Sequence, residues 1–147
     1  MPAIPFNRNF DAPYETVEQV SPLIRRMLAN NPSPFTFKGT GVYIVGHERA
    51  AVIDPGPDDA AHLAALKCAI EGLTVDHIVV THTHRDHWDD RAAELLPKQL
   101  PILCQPEDEA KLRQAGFAAV QPVAARYEWR GVEFQRTGGQ HGTGEIG

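Results

Sequence analysis

Cysteine is nearly absent from this 147-residue chain: Cys68 and Cys104 are the only two, and neither sits in a Cys-x-x-Cys pair. That excludes a zinc ribbon and thioredoxin-type chemistry. Two buried free thiols in a reducing compartment are the plain reading. Serine is as scarce, and neither Ser21 nor Ser33 lies in Gly-x-Ser-x-Gly, so the usual serine-hydrolase elbow is excluded. GxxxxGK[ST] and GxGxxG are missing, and Lys38-Gly39-Thr40-Gly41 is too short to cradle a phosphate. No apolar run approaches the ~20 residues of a membrane span. The first residues, Met1 to Arg8, hold no long apolar segment of the signal-peptide kind. Cytoplasm and no membrane partner are therefore expected. Excess positive charge is lacking too: the net charge of −5 argues against nucleic acid as the main partner, because phosphate binding wants a basic face.

What is present is an ordinary globular composition, with 42% hydrophobic and 22% charged residues, enough to build a core. The length suits one domain, and no internal repeat or inter-domain linker stands out. Residues 15–29 are ambiguous: Val17, Val20, Ile24 and Leu28 fit helical spacing, while Pro22 and the β-branched residues favour an extended Leu23 to Leu28. Val42 to Val45 and Ala51 to Ile53 read as strands of a hairpin across Gly46-His47-Glu48-Arg49. Asp54-Pro55-Gly56-Pro57 stops the second strand, and Asp58 or Asp59 caps a helix whose stripe is Leu63, Leu66, Ile70 and Leu73. A strand over Asp76 to Thr81 completes a strand–helix–strand unit, which implies parallel pairing. Further on, a short helix is expected over Asp89 to Leu96 and a strand over Ile102 to Cys104. A helix opened by Pro106 and closed by Gly116 follows, then a strand over Ala118 to Val120 and a hairpin around Arg130-Gly131.

Residues 81–87 read Thr-His-Thr-His-Arg-Asp-His and directly follow the apolar run Ile78-Val79-Val80. An extended chain points residues i and i+2 to one side, so His82 and His84 can converge on one point. If the chain then turns, Asp86 and His87 face a second point nearby. Imidazole suits zinc, copper, iron and nickel, and carboxylate suits harder ions, so one or two metal ions at a strand end are implied. Two more residues could join them. Asp54 also ends a strand; it is either an Asx-turn former or a carboxylate that orients a ligand imidazole. His141 lies in a glycine-rich segment and is either a ligand or a surface residue. His47, His62 and His77 lack ligand spacing and read as surface or boundary residues. Asp89 and Asp90 read as helix caps, and Trp88 as packing beside the site.

The pattern His82-x-His84-x-Asp86-His87 after a strand, with Asp54-Pro55-Gly56 upstream, closely resembles the metallo-β-lactamase superfamily from about residue 35 onward. Residues 31–57 are similar to its β-lactamase-like and glyoxalase-like hydrolases, and the tail from Thr137 is similar to its L-ascorbate-6-phosphate lactonase-like group. The resemblance implies an α/β fold, the αββα sandwich of two similar halves. This chain would hold the N-terminal half and the start of the second, as one partial domain over residues 1–147 that is truncated on its C-terminal side. Residues 1–30 would be an N-terminal extension of uncertain structure. The resemblance gives a first metal His82, His84 and His141, and a second metal Asp86 and His87. The bridging aspartate and final histidine of the second site are missing. The implied cofactor is Zn2+, one or two ions, with Mn2+ or Fe2+ as alternatives. The implied activity is hydrolysis of an ester, thioester, lactone or phosphodiester through a metal-bound hydroxide, with Asp86 as the catalytic carboxylate and a small molecule as substrate. A catalytically incomplete metal-binding fragment and a metal-dependent nuclease are the alternatives. The uncovered sheet face would favour self-association.

Overall fold

The computed structural model describes residues 9–137. A seven-stranded sheet runs through it in sequence order: β1 (Glu18–Gln19), β2 (Ile24–Leu28), β3 (Gly41–Gly46), β4 (Arg49–Ile53), β5 (Thr74–Val80), β6 (Ile102–Cys104) and β7 (Val120–Pro122). Pairing is antiparallel from β1 to β4 and parallel from β4 to β7. The switch happens where it must. Two residues suffice to turn β3 into β4, whereas each later strand returns by a crossover. The crossovers carry α1 (Ala60–Ile70), α2 (Asp90–Leu95), a 3-10 turn (Pro106–Asp108) and α3 (Glu109–Gln114). A separate hairpin, β8 (Arg126–Trp129) and β9 (Val132–Gln135), follows the sheet.

Strand alternation sorts the sheet into two faces. Val42, Ile44, Ala50, Val52, Ile78, Val80, Ile102 and Cys104 belong to one buried cluster, which Leu66 of α1 and Leu112 of α3 join. Burying each large aliphatic side chain there contributes about 1.5–3 kcal/mol. On the alternate positions, Tyr43, Ile53, Val79 and Leu103 line a cavity together with Phe134 of β9. One α/β layer and a following hairpin are thus present, in line with the expected first half of a sandwich.

Most element expectations hold, with physical reasons where they shift. Asp59, rather than Asp58, caps α1: its Oδ1 accepts from the His62 amide at 2.8 Å. Leu73 falls beyond the end of α1. The ambiguous segment is extended: β2 pairs with β3 from Ile24↔Val45 to Leu28↔Gly41. The last parallel strand sits at Val120–Pro122, not at 118–120. Pro122 lacks an amide hydrogen, and an edge strand tolerates that. Cysteine burial needs a correction, since Cys104 is buried and Cys68 is exposed. No helix among the described residues is long and apolar enough to cross a membrane.

The two thiols should therefore differ in reactivity. Burial, reinforced by the carboxylates of Asp108 and Glu109, pushes the Cys104 thiol up to about 11. Only the thiolate reacts, so at pH 8 Cys104 stays protonated and hidden. A disulfide reagent at pH 8 should release one equivalent quickly from the native chain and two after denaturation. Two equally fast equivalents from the native chain would contradict this packing.

Candidate metal centre

The carboxyl ends of β4, β5 and β6 lie side by side, and a cavity of about 650 Å³ opens there. In open α/β sheets this edge is where ligand sites form. Past Val80 the ladder stops, and the chain needs other partners for its polar groups. His87 and Trp88 both donate their amides to the His84 carbonyl, at 2.9 and 2.8 Å. This tight turn brings Asp86 and His87 back over the strand end. Trp88, 2% exposed, pins the turn by packing edge-on against Phe117 with ring centroids 5.7 Å apart.

Before the turn, residues 81–84 divide their duties between two sides. The Asp54 carboxylate accepts from the Thr81 amide at 2.8 Å and from the Thr81 hydroxyl at 2.6 Å. Thr83 donates its hydroxyl to Asp108 at 2.9 Å, and Gln105 holds the other oxygen of Asp108 at 2.8 Å. The two threonines thereby tie the strand extension to the ends of β4 and β6. His82 and His84 alternate with the threonines and meet edge to face, with ring centroids 4.6 Å apart.

One ligand atom from each of His82, His84 and Asp86 falls within 4.8 Å of the others. His87 closes on the group: its ring centroid lies 4.1 Å from that of His82, and its Nε2 lies 3.1 Å from an Asp86 oxygen. Hydrogen bonds at Nδ1 orient two of the three imidazole rings. A carboxylate only accepts, so His87 donates Nδ1–H to Asp54 at 2.8 Å, which fixes the ring with Nε2 turned toward Asp86 and the cluster. The Thr81 hydroxyl gives its hydrogen to Asp54 and so accepts from His82 Nδ1 at 3.1 Å. Burial lowers the His87 pKa, but the hydrogen bond and charge of Asp54, with the charge of Asp86, outweigh it and leave the value above that of an ordinary histidine. Three imidazoles and a carboxylate of this kind match the donor set of a borderline divalent ion.

The structure thus brings His82, His84, Asp86, His87 and Asp54 together. Of the two alternatives that its sequence left open, Asp54 takes the second: its carboxylate holds the His87 imidazole and Thr81 and, among the described residues, makes no Asx-turn bond to its own turn. His141 lies outside the described residues. His47 is exposed, and His77 packs beside Tyr127 and Trp129. His62 needs a correction: it is 0% exposed, not a surface residue. Sequence reasoning missed Thr81, Thr83, Gln105 and Asp108. The threonines carried a signal, since the i, i+2 rule that pairs the histidines also pairs them.

Comparison with known proteins agrees with this geometry. Residues 49–145 match the beta-lactamase superfamily domain. The chain is 36% identical over 86 residues to the UPF0173 protein YddR of Bacillus subtilis, covering 56% of this chain and 34% of that protein. It is 36% identical over 74 residues to the atrochrysone carboxyl ACP thioesterase of Passalora fulva, covering 48% of this chain and 22% of that protein. Among solved structures, the DIM-1 metallo-beta-lactamase superposes with a TM-score of 0.61 at 18% identity, covering 84% of this chain and 58% of that one; this likeness concerns the fold alone. The chain spans about a third or less of the length of these curated relatives.

Replacing a clustered histidine should cost metal affinity where replacing a distant one does not. His84→Ala should abolish high-affinity zinc binding, and His47→Ala should leave it unchanged. Equal zinc content in both variants, by metal analysis after dialysis, would remove the cluster as a site.

Proposed function

The chain belongs to the beta-lactamase superfamily, and from that membership we propose that it is a metal-dependent hydrolase whose centre uses His82, His84, Asp86 and His87, joined by His141. The observation that carries the proposal is the convergence of His82, His84, Asp86 and His87 at the carboxyl ends of parallel strands, with Asp54 behind them. A divalent ion bound there, zinc being the best match to imidazole and carboxylate, would supply a Lewis acid and lower the pKa of water toward ~7.

The chain's own residues do the rest. His82 and His84 present nitrogens from one side of the extended segment, and Asp54 keeps the His87 ring from turning. Asp86, partly exposed beside the cluster, accepts the proton of the attacking water at a carboxylate oxygen. Tyr43, Ile53, Val79, Val123 and Phe134 give the cavity an apolar wall that suits an acyl chain or ring. Thioesters are the preferred substrate class among esters, lactones and phosphodiesters. The support is the named thioesterase among the relatives, together with that wall. Hydrolysis adds water across the acyl–sulfur bond and releases a carboxylic acid and a thiol.

The zinc-loaded chain should cleave short acyl thioesters, stop on chelation and recover when zinc returns. Asp86→Ala should slow turnover by about 10²–10⁴-fold, the range of a lost proton acceptor. Bound zinc without metal-dependent turnover of thioester, ester or lactone would contradict the hydrolase reading and favour a metal-binding role without catalysis. RNA cleavage that collapses steeply with salt would favour a nuclease instead.

A further inference from the structure

His62 is a polar side chain with no exposed surface, and the hydrolase reading gives it nothing to do. Both its ring nitrogens are nevertheless satisfied: Nε2 lies 2.7 Å from the Pro55 carbonyl and Nδ1 lies 2.9 Å from a Glu15 carboxylate oxygen. A carbonyl only accepts, so Nε2 carries a hydrogen. The contact with Glu15 holds a second proton between nitrogen and oxygen. Glu15 is itself fixed: its amide donates to the Leu28 carbonyl at 2.9 Å and its second oxygen accepts from the Asn30 amide at 3.0 Å.

The chain of contacts ends at the turn that carries Asp54. A Cβ placed on Gly56, where φ is +96°, would come within 2.6 Å of His62 Nε2, so the turn lies directly on the ring. Asp54 has φ +48° and Glu15 has φ +51°, conformations that side-chain-bearing residues adopt only where the surroundings hold them. Two strained residues therefore stand at the two ends of one buried strut, and one of them grips His87.

We propose that Glu15 and His62 are positioning residues for the metal centre, setting its affinity by fixing the Asp54–Gly56 turn from beneath. This rests on the metal-site reading above. His62 supplies no ligand atom; it decides where the Asp54 carboxylate stands, and thus where the His87 ring points. Partners behind ligands of this kind typically change metal affinity by about 10–100-fold when removed.

Zinc titration calorimetry on the full chain, with melting temperatures measured alongside, tests this. H62L and E15A should keep the zinc stoichiometry and raise Kd about tenfold, and E15A carries the test should H62L not fold. L66A, which thins the same helix's core packing one turn further along, should lower the melting temperature with Kd within about twofold of the parent. Unchanged Kd in H62L and E15A would overturn the proposal. So would an L66A variant that loses affinity as they do, since that would make the effect general destabilisation. The H84A variant separates the two readings: if it binds zinc like the parent, the metal site itself is wrong and the strut falls with it.

Discussion

A single buried carboxylate holds the working edge of this sheet together. Asp54, 4% exposed, receives three hydrogens: the amide and hydroxyl of Thr81 and the Nδ1–H of His87. Its own amide is bound to the Val79 carbonyl at 2.9 Å. A charge buried this deeply is costly unless every lone pair finds a donor, and here the donors come from the very segment that bears the histidines. Satisfying the charge and placing the imidazoles are therefore one event. The end of β4 and the segment after β5 cannot separate without exposing an unpaired carboxylate to an apolar surround.

Around that contact the fold works as a frame. The parallel strands β4, β5 and β6 bring three loops to one edge, and the helix-side core of Ile44, Val52, Ile78 and Ile102 keeps the strands in register. Asp108 repeats on the β6 side what Asp54 does on the β4 side, gripping Thr83 as Asp54 grips Thr81. A loop with few backbone bonds of its own thus becomes rigid through side chains. Rigidity is what a metal centre needs, because ligand nitrogens must arrive already aimed. At the opposite end of β5, Asp76 takes Arg49 and the Trp129 indole, so the β8–β9 hairpin docks away from the cluster while its Phe134 still reaches the cavity wall.

Much of this was readable in the amino-acid order. The short apolar, β-branched runs Val42 to Val45 and Ile78 to Val80 mark the strands, since turn signals bound the first and the histidine segment ends the second. Four of the candidate ligands, His82, His84, Asp86 and His87, share one short segment, so their nearness was visible in the spacing. The legible part ends where contacts become long-range. Asp108 meets Thr83 only after a crossover of 25 positions, and Glu15 meets His62 across 47. Helical spacing carried a hint for His62, which lies one turn before Leu66 on the buried face of α1, but its partner Glu15 is beyond local reach. Pro22 pointed to an extended β2 while the spacing of Val17, Val20, Ile24 and Leu28 pointed to a helix, and pairing with β3 decides for the strand.

The central claim is that the Asp54 carboxylate makes the histidine cluster into a metal site. Asp54→Asn tests it most directly, because the amide keeps the shape and loses the charge. Zinc affinity measured by calorimetry on a folded Asp54→Asn chain should fall by about 10–100-fold, as loss of a partner behind a ligand imidazole does. A variant that folds and binds zinc as tightly as the parent would show that the cluster is organised by something other than this contact.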